Sequence, residues 1–254
     1  NKVDGIIIFK NNIYASDDKN NILETNYAKY NEKNKILETV GPTKVSTSEK
    51  YVIEGDDFLV DNLERFIRSE KKSILTDKDN NRIFLDNFEY IAKNNIFKSI
   101  GFIKIEDVNN NVYEFSQIYI DTKKKEMLGS DAKSFLNDES FKINEKNKTR
   151  IFANTVKINN KQSSFEKSIF TTCDYRENDK CPPWDIRAKK MSHDSKKKTI
   201  FYENALLKVY DIPIFFFPRL SHPDPTVDRR SGFLIPYLTN SKNLGSGVSI
   251  PYFF

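Results

Sequence analysis

Residues 81–101 read NRIFLDNFEYIAKNNIFKSIG, and residues 111–129 read NVYEFSQIYIDTKKKEMLG. Apolar residues fall two apart in both stretches and in the segment between them: Ile83 and Leu85, Ile103 and Ile105, Tyr113 and Phe115, Ile118 and Ile120. That alternation is the mark of a strand with one buried and one wet face. Asn and Asp gather between the apolar runs, at Asp77 to Asn81, Asn94-Asn95 and Asp107 to Asn111. These residues tolerate the backbone of tight turns, so hairpins are expected there. Working outward, Ile22, Ile53, Ile83 and Val112 recur at steps of about 30 residues and open similar units. Three units close on a glycine: Asn21 to Gly41 with Tyr27, Ala28 and Tyr30, Asn81 to Gly101 with Phe88 and Tyr90, and Asn111 to Gly129 with Phe115, Ile118 and Tyr119. A repeat of that length predicts stacked units sharing one continuous core. Leu59, Leu63, Phe66 and Ile67 also fit helical spacing, but the neighbouring units share the same step and strands are expected there too. The result is a long antiparallel sheet with an apolar face. Either that face meets a second layer, or the sheet folds into a V whose apolar faces line a slot.

Composition narrows the partners. The chain has 254 residues, 38% hydrophobic and 30% charged, with 8 Gly and 9 Pro. That balance suits a sheet with one greasy and one wet face better than a round enzyme core. The formal charge is +5, yet the lysines are interleaved with Asp and Glu and form no basic stripe. Lys123-Lys124-Lys125 and Lys196-Lys197-Lys198 read as solvated turns, and no nucleic-acid partner is expected. No apolar run reaches the ~20 residues of a membrane helix. The chain starts at Asn1, with neither Met nor a signal peptide, as a mature or cut chain would. Cys173 and Cys181, with seven residues between them, are spaced for a local disulfide in an oxidising compartment. Closing so short a ring contributes roughly 2 to 3 kcal/mol in the loop-entropy view.

From residue 171 the chain carries motifs. Thr171-Thr172-Cys173 precedes Pro182-Pro183-Trp184-Asp185-Ile186-Arg187-Ala188, then Ala205-Leu206-Leu207-Lys208-Val209 and Ile212-Pro213-Ile214-Phe215-Phe216-Phe217-Pro218. Arg229-Arg230-Ser231-Gly232-Phe233-Leu234-Ile235-Pro236 follows, and the chain closes with Gly247-Val248-Ser249-Ile250-Pro251-Tyr252-Phe253-Phe254. In this order and spacing the motifs resemble the junction of LptD-type outer-membrane assembly proteins, and the repeat before them is similar to that family's periplasmic fold.

The resemblance implies an all-β chain: a bent two-layer antiparallel sheet, the β-taco or β-jellyroll of LptA-like proteins, leading into the first strands of an outer-membrane β-barrel. Residues 1–218 would be the periplasmic sheet domain, and 219–254 a linker with the first two barrel strands. It implies a receiver of lipopolysaccharide at the cell outer membrane, this segment facing the periplasm. Acyl chains would lie against Ile22, Ile53, Ile83, Leu85, Ile103, Ile105 and Phe115. An LptA-like bridge protein would add a strand at the N-terminal edge, Val3 to Phe9, through main-chain hydrogen bonds. An LptE-like lipoprotein would plug the barrel. Pro236 and Pro251 would loosen a lateral gate, because proline removes a ladder donor. The aromatic ending would suit an interfacial girdle. In many relatives the cysteine of the Thr-Thr-Cys motif pairs with cysteines near the barrel's end; here a Cys173–Cys181 bridge is expected instead.

Catalytic readings fare worse. Cys173, His193 and Asp194 lack a nucleophile motif. Cys173, Cys181, His193 and His222 match no zinc-ligand spacing. Asp56-Asp57 beside Gly55 reads as a turn rather than a glycosidase pair. No enzyme activity and no cofactor are expected. The alternative to lipid transport is a stacked-sheet carbohydrate-active or interaction domain, which would need acids facing one cleft where a lipid groove needs an apolar interior.

Overall fold

The computed structural model describes residues 2–3, 5–136, 149–159, 162–173, 182–194, 196–223, 232–233, 237–241 and 245–253. Every regular element among them is a strand. The chain divides into two compact units, Asn1–Ser134 and Phe135–Phe254.

The first unit holds β1 (Lys2–Val3), β2 (Ile6–Ser16), β3 (Ile22–Asn31), β4 (Ile36–Thr39), β5 (Pro42–Ser46), β6 (Val52–Asp56) and β7 (Leu59–Asp61). It continues with β8 (Phe66–Ser69), β9 (Ser73–Thr76), β10 (Arg82–Leu85), β11 (Phe88–Ile91), β12 (Ile96–Glu106), β13 (Val112–Asp121) and β14 (Glu126–Leu136), the last crossing the border between units. The stretch from Leu59 to Ile67, ambiguous by spacing, is β7, a turn and β8.

Pairing makes two walls out of one ribbon. The first half of β3 pairs β5, and β5, β6, β9 and β10 follow in antiparallel order to the second half of β12. The second half of β3 pairs β4, and β4, β7, β8 and β11 follow to the first half of β12. The ribbon therefore bends midway along each strand, and the bends align as a crease. Gly41 (φ 78°), Asp57 (φ 55°) and Gly101 (φ 121°) adopt left-handed backbone there. The Asp57 carboxylate accepts the Gly41 N–H at 2.8 Å. That of Asp86 accepts the Phe102 N–H at 2.9 Å. At Gly101 the conformation itself favours glycine.

The turns repeat more strictly than the apolar residues do. At one end Asn20, Lys50, Asn80 and Asn110 all have positive φ; at the other, Gly5, Lys35, Arg65, Asn95 and Lys125 do. Each step is 30 residues. Successive turns are joined by Glu32 N–H to Gly5 O (2.9 Å), Asn62 to Lys35 (3.2 Å), Ala92 to Arg65 (2.8 Å) and Thr122 to Asn95 (2.9 Å). Lys123 to Lys125 lie in such a turn, and Lys196 to Lys198 in the turn after Asp194.

The second unit contains β15 (Thr149–Ile158), β16 (Gln162–Thr171), β17 (Trp184–Asp194), β18 (Thr199–Val209) and β19 (Ile212–Pro223), paired consecutively and antiparallel. Residue 218, the expected domain boundary, lies inside β19. Phe170, Trp184, Ile186, Met191, Tyr202 and Leu207 form its buried core. Beyond it, β20 (Gly232–Phe233) pairs β23 (Tyr252–Phe253), and β21 (Tyr237–Ser241) pairs β22 (Gly245–Ser249).

Candidate functional site

The inner faces of the first unit carry two rows of side chains on each wall. Beside the crease, on the wall built from β5, β6, β9 and β10, Thr25, Thr43, Gly55, Ser73, Leu85, Ile103 and Phe115 stand opposite one another in register. Ala28 and Thr39, Ser69 and Phe88, and Ser99 and Ile118 are the matching pairs on the other wall. These floor residues are buried apart from the half-buried Gly55, and Ala28, Ile103, Ile118 and Ser99 completely so. The floor's polar members satisfy backbone groups that lose ladder partners at the bends. Thr39 Oγ1 accepts the Phe58 N–H at 2.8 Å, Thr43 Oγ1 donates to Thr39 Oγ1 at 2.7 Å, and Ser69 Oγ donates to Asp56 O at 2.7 Å. The Phe88 ring of the floor packs against Phe58 and against Phe97 of the row above, with ring centroids 5.3 and 6.2 Å apart.

Away from the crease a second row forms the rim. On one wall it runs Leu23, Val45, Ile53, Leu75, Ile83, Ile105, Tyr113. On the other it runs Tyr30, Leu37, Val60, Ile67, Tyr90, Phe97, Ile120. Most of these side chains are half-buried. An apolar trough with a packed floor and partly open rims can hold alkyl chains along its length, at about 0.8 kcal/mol per buried methylene. Burial holds the Tyr113 phenol well above its ordinary value, with the Asp107 carboxylate adding to the effect. The tyrosine is therefore a neutral wall element.

Of the residues expected to touch lipid, Ile53, Ile83 and Ile105 lie in the rim row, and Leu85, Ile103 and Phe115 in the floor. Ile22 stands apart from them. It pairs with Ser46 in an outward row that continues through Val52, Thr76, Arg82, Glu106 and Val112. The inward residue at that step is Leu23. The opposite rim escaped sequence reasoning, although its signal was present: Tyr30, Val60, Tyr90 and Ile120 keep the 30-residue step.

The expected docking strand, Val3 to Phe9, is divided. β1 folds back on β2, with Lys2 opposite Ile7 and Val3 opposite Ile6. β2 pairs β3 along its other edge, with a bulge between Lys10 and Ile13. Phe9 and Tyr14 on β2 are exposed. A cavity of about 510 Å³ nearby is lined by Asn12, Tyr14, Glu24, Lys44 and Glu54 among others. Its Lys44–Glu54 pair, 3.0 Å apart, makes it unsuited to acyl chains.

Pro251 lies between β22 and β23, and the register slips by one residue across that break. Pro236 and Cys181 lie outside the described residues. Cys173 is half-buried, and its N–H donates to Thr171 Oγ1 at 3.1 Å. His222 is buried against Tyr202. Among the described residues no group of three His, Cys, Asp or Glu is placed to hold a metal ion. No described helix is long and apolar enough to cross a membrane, which says nothing of a barrel.

A folded-over antiparallel ribbon with an apolar interior defines an all-β protein of the bent-sheet, jellyroll-like class. Comparison with known proteins is more particular, although no family model matches the chain. It is 34% identical over 95 residues to the LPS-assembly protein LptD of Nitrosococcus oceani, covering 37% of the chain and 12% of that relative. It is 36% identical over 73 residues to LptD of Francisella tularensis subsp. novicida, covering 28% and 8%. It is 32% identical over 129 residues to LptD of Hahella chejuensis, covering 49% and 15%. The chain thus aligns with less than a fifth of the length of these curated relatives. These stretches support placing the chain in the LptD family.

Proposed function

We propose that this chain receives lipopolysaccharide and conducts its acyl chains along the trough toward the outer membrane. The observation that carries the reading is the pair of facing apolar rims above a packed floor, running unbroken from β3 to β13. That its relatives are LPS-assembly proteins supports it. Transport of this kind needs binding surface rather than catalysis, and the inner rows present aliphatic, aromatic and hydroxyl side chains with no carboxylate among them.

The same reading assigns the neighbourhood. The N-terminal edge, Val3 to Phe9, is where an LptA-like bridge protein adds a strand, main-chain hydrogen bonds making the join. Residues 1–218 act as the sheet domain, β19 running on to Pro223, and 219–254 as a linker and the first two barrel strands, with this segment on the periplasmic side. Pro236 and Pro251 weaken that hairpin beside a lateral gate; the broken ladder at Pro251 supports this. An LptE-like lipoprotein belongs to the barrel. Cys173 pairs with Cys181.

Site-specific photocrosslinking in cells tests the main claim. A photoreactive residue at Ile83 or Ile105 is expected to capture lipopolysaccharide, and one at Phe84, on the outer face of the same wall, is not. Equal capture at all three positions, or none at Ile83 and Ile105, would refute the trough.

A further inference from the structure

The interior of the second unit is closed by packed side chains. Phe170, on β16, lies 6.4 Å from the Tyr202 ring and 5.9 Å from the His222 ring, centroid to centroid. The register places Ser163, His193, Ile200 and His222 in one row across β16 to β19. Phe170 stands seven residues further along β16. In a flat sheet that offset, with three strand spacings, separates Phe170 from His222 by about 25 Å. Their ring contact is therefore made across the fold, from one wall to the other. All three side chains are buried.

The polar atoms at this contact are satisfied within one wall. The Tyr202 hydroxyl and His222 Nε2 are 3.0 Å apart on paired strands, and His222 Nδ1 lies 2.7 Å from Pro223 O. With Nδ1–H donated to that carbonyl, Nε2 is the acceptor for the Tyr202 O–H. Burial raises the Tyr202 phenol above its ordinary value, which keeps it a donor. No hydrogen bond joins Phe170 to the pair opposite; the contact between them is ring against ring. Parting them exposes apolar surface and breaks no hydrogen bond, and an alkyl chain sliding between them restores that apolar contact. The row that holds Phe170 continues through Ile186 and Leu207 to Phe215. Phe215 is 54% exposed and its ring lies tilted against that of Phe217, centroids 4.5 Å apart, so apolar surface waits on the β19 side of the closure.

We infer that Phe170 against the Tyr202–His222 pair is a latch that shuts the second unit's trough and parts to admit an acyl chain. The inference rests on the lipid-carrying reading above. It is tested in the intact protein in cells by comparing lipopolysaccharide crosslinks from a photoreactive residue at Ile83 with those from one at Phe215. Phe170→Leu keeps the site apolar but shortens the reach across the trough, and is expected to raise the Phe215-to-Ile83 ratio several-fold. Phe170→Cys with His222→Cys, joined by a short flexible bis-maleimide, is expected to lower the ratio several-fold while Ile83 still captures lipid; Phe170→Cys alone, treated alike, controls for the reagent. Retained capture at Ile83 shows that a variant is folded and loaded. An unchanged ratio in both variants with capture at Ile83 intact overturns the latch and leaves the transport reading standing. Loss of capture at Ile83 in the unmodified protein overturns both.

Discussion

Thr39 is where a straight strand becomes a bent one. Its hydroxyl accepts the Phe58 N–H, which has lost its place in the ladder at the crease, and it also takes a bond from Thr43. Both partners are buried, so water cannot replace it. Thr39→Val keeps the shape and removes the acceptor. The expected loss is about 1–3 kcal/mol, the cost of an unsatisfied buried donor, read as a lower denaturant midpoint. A substitution without effect would mean that the crease does not depend on its hydroxyls. These threonines and serines were not legible as structural residues in the sequence. A hydroxyl at a strand position looks the same whether it faces water or caps a broken ladder, and only the bend tells them apart.

At the scale of the element, the turns decide register. The turn after Asp121 is held by Lys124, whose N–H donates to Asp121 Oδ1 at 2.8 Å while its Nζ lies 3.1 Å from Oδ2. The turn after Asp194 uses the same device, with the N–H groups of Lys196 and Lys197 both at 3.0 Å. Backbone hydrogen bonds, from Lys124 and from Lys197 respectively, are the leading cause that lowers both carboxyls below their ordinary value. A depressed carboxyl contributes stability above its unfolded pKa of about 3.9, and the contribution fades as pH falls through the lower folded value. Asp121→Asn should therefore lose stability at neutral pH and show a shallower acid limb below about pH 4 in a thermal-unfolding series. An acid limb identical to that of the parent chain would discount the turn. The lysine runs beside both aspartates were readable as turns. The role of the aspartates was not, because it depends on backbone N–H groups that converge only once the turn has closed.

For the whole first unit, the 30-residue step makes the ribbon divisible. Removing residues 47–76 joins Ser46 to the turn at Asp77 and leaves each remaining strand a partner in the parent register. The shortened chain should unfold cooperatively with the trough shorter by about 10 Å, two strand spacings. A deletion one residue shorter should fail, since a single-residue slip turns every inward side chain out. Circular dichroism and denaturant unfolding of the two deletions test this, and equal behaviour would contradict a register-locked trough. That parity explains the limits of reading the chain linearly. Alternation and turn chemistry determined an all-β, antiparallel, repeating ribbon, and the motifs after Thr171 determined the family likeness, because strand period, turn preference and motif spacing are properties of neighbouring residues. Whether Ile22 or Leu23 looks inward, which rows are floor and which rim, and that Phe170 meets His222 within the second unit's core were decided by the tertiary structure alone. Those facts depend on where a ribbon bends and on which distant strands the bend brings face to face, and no local pattern carries that distance.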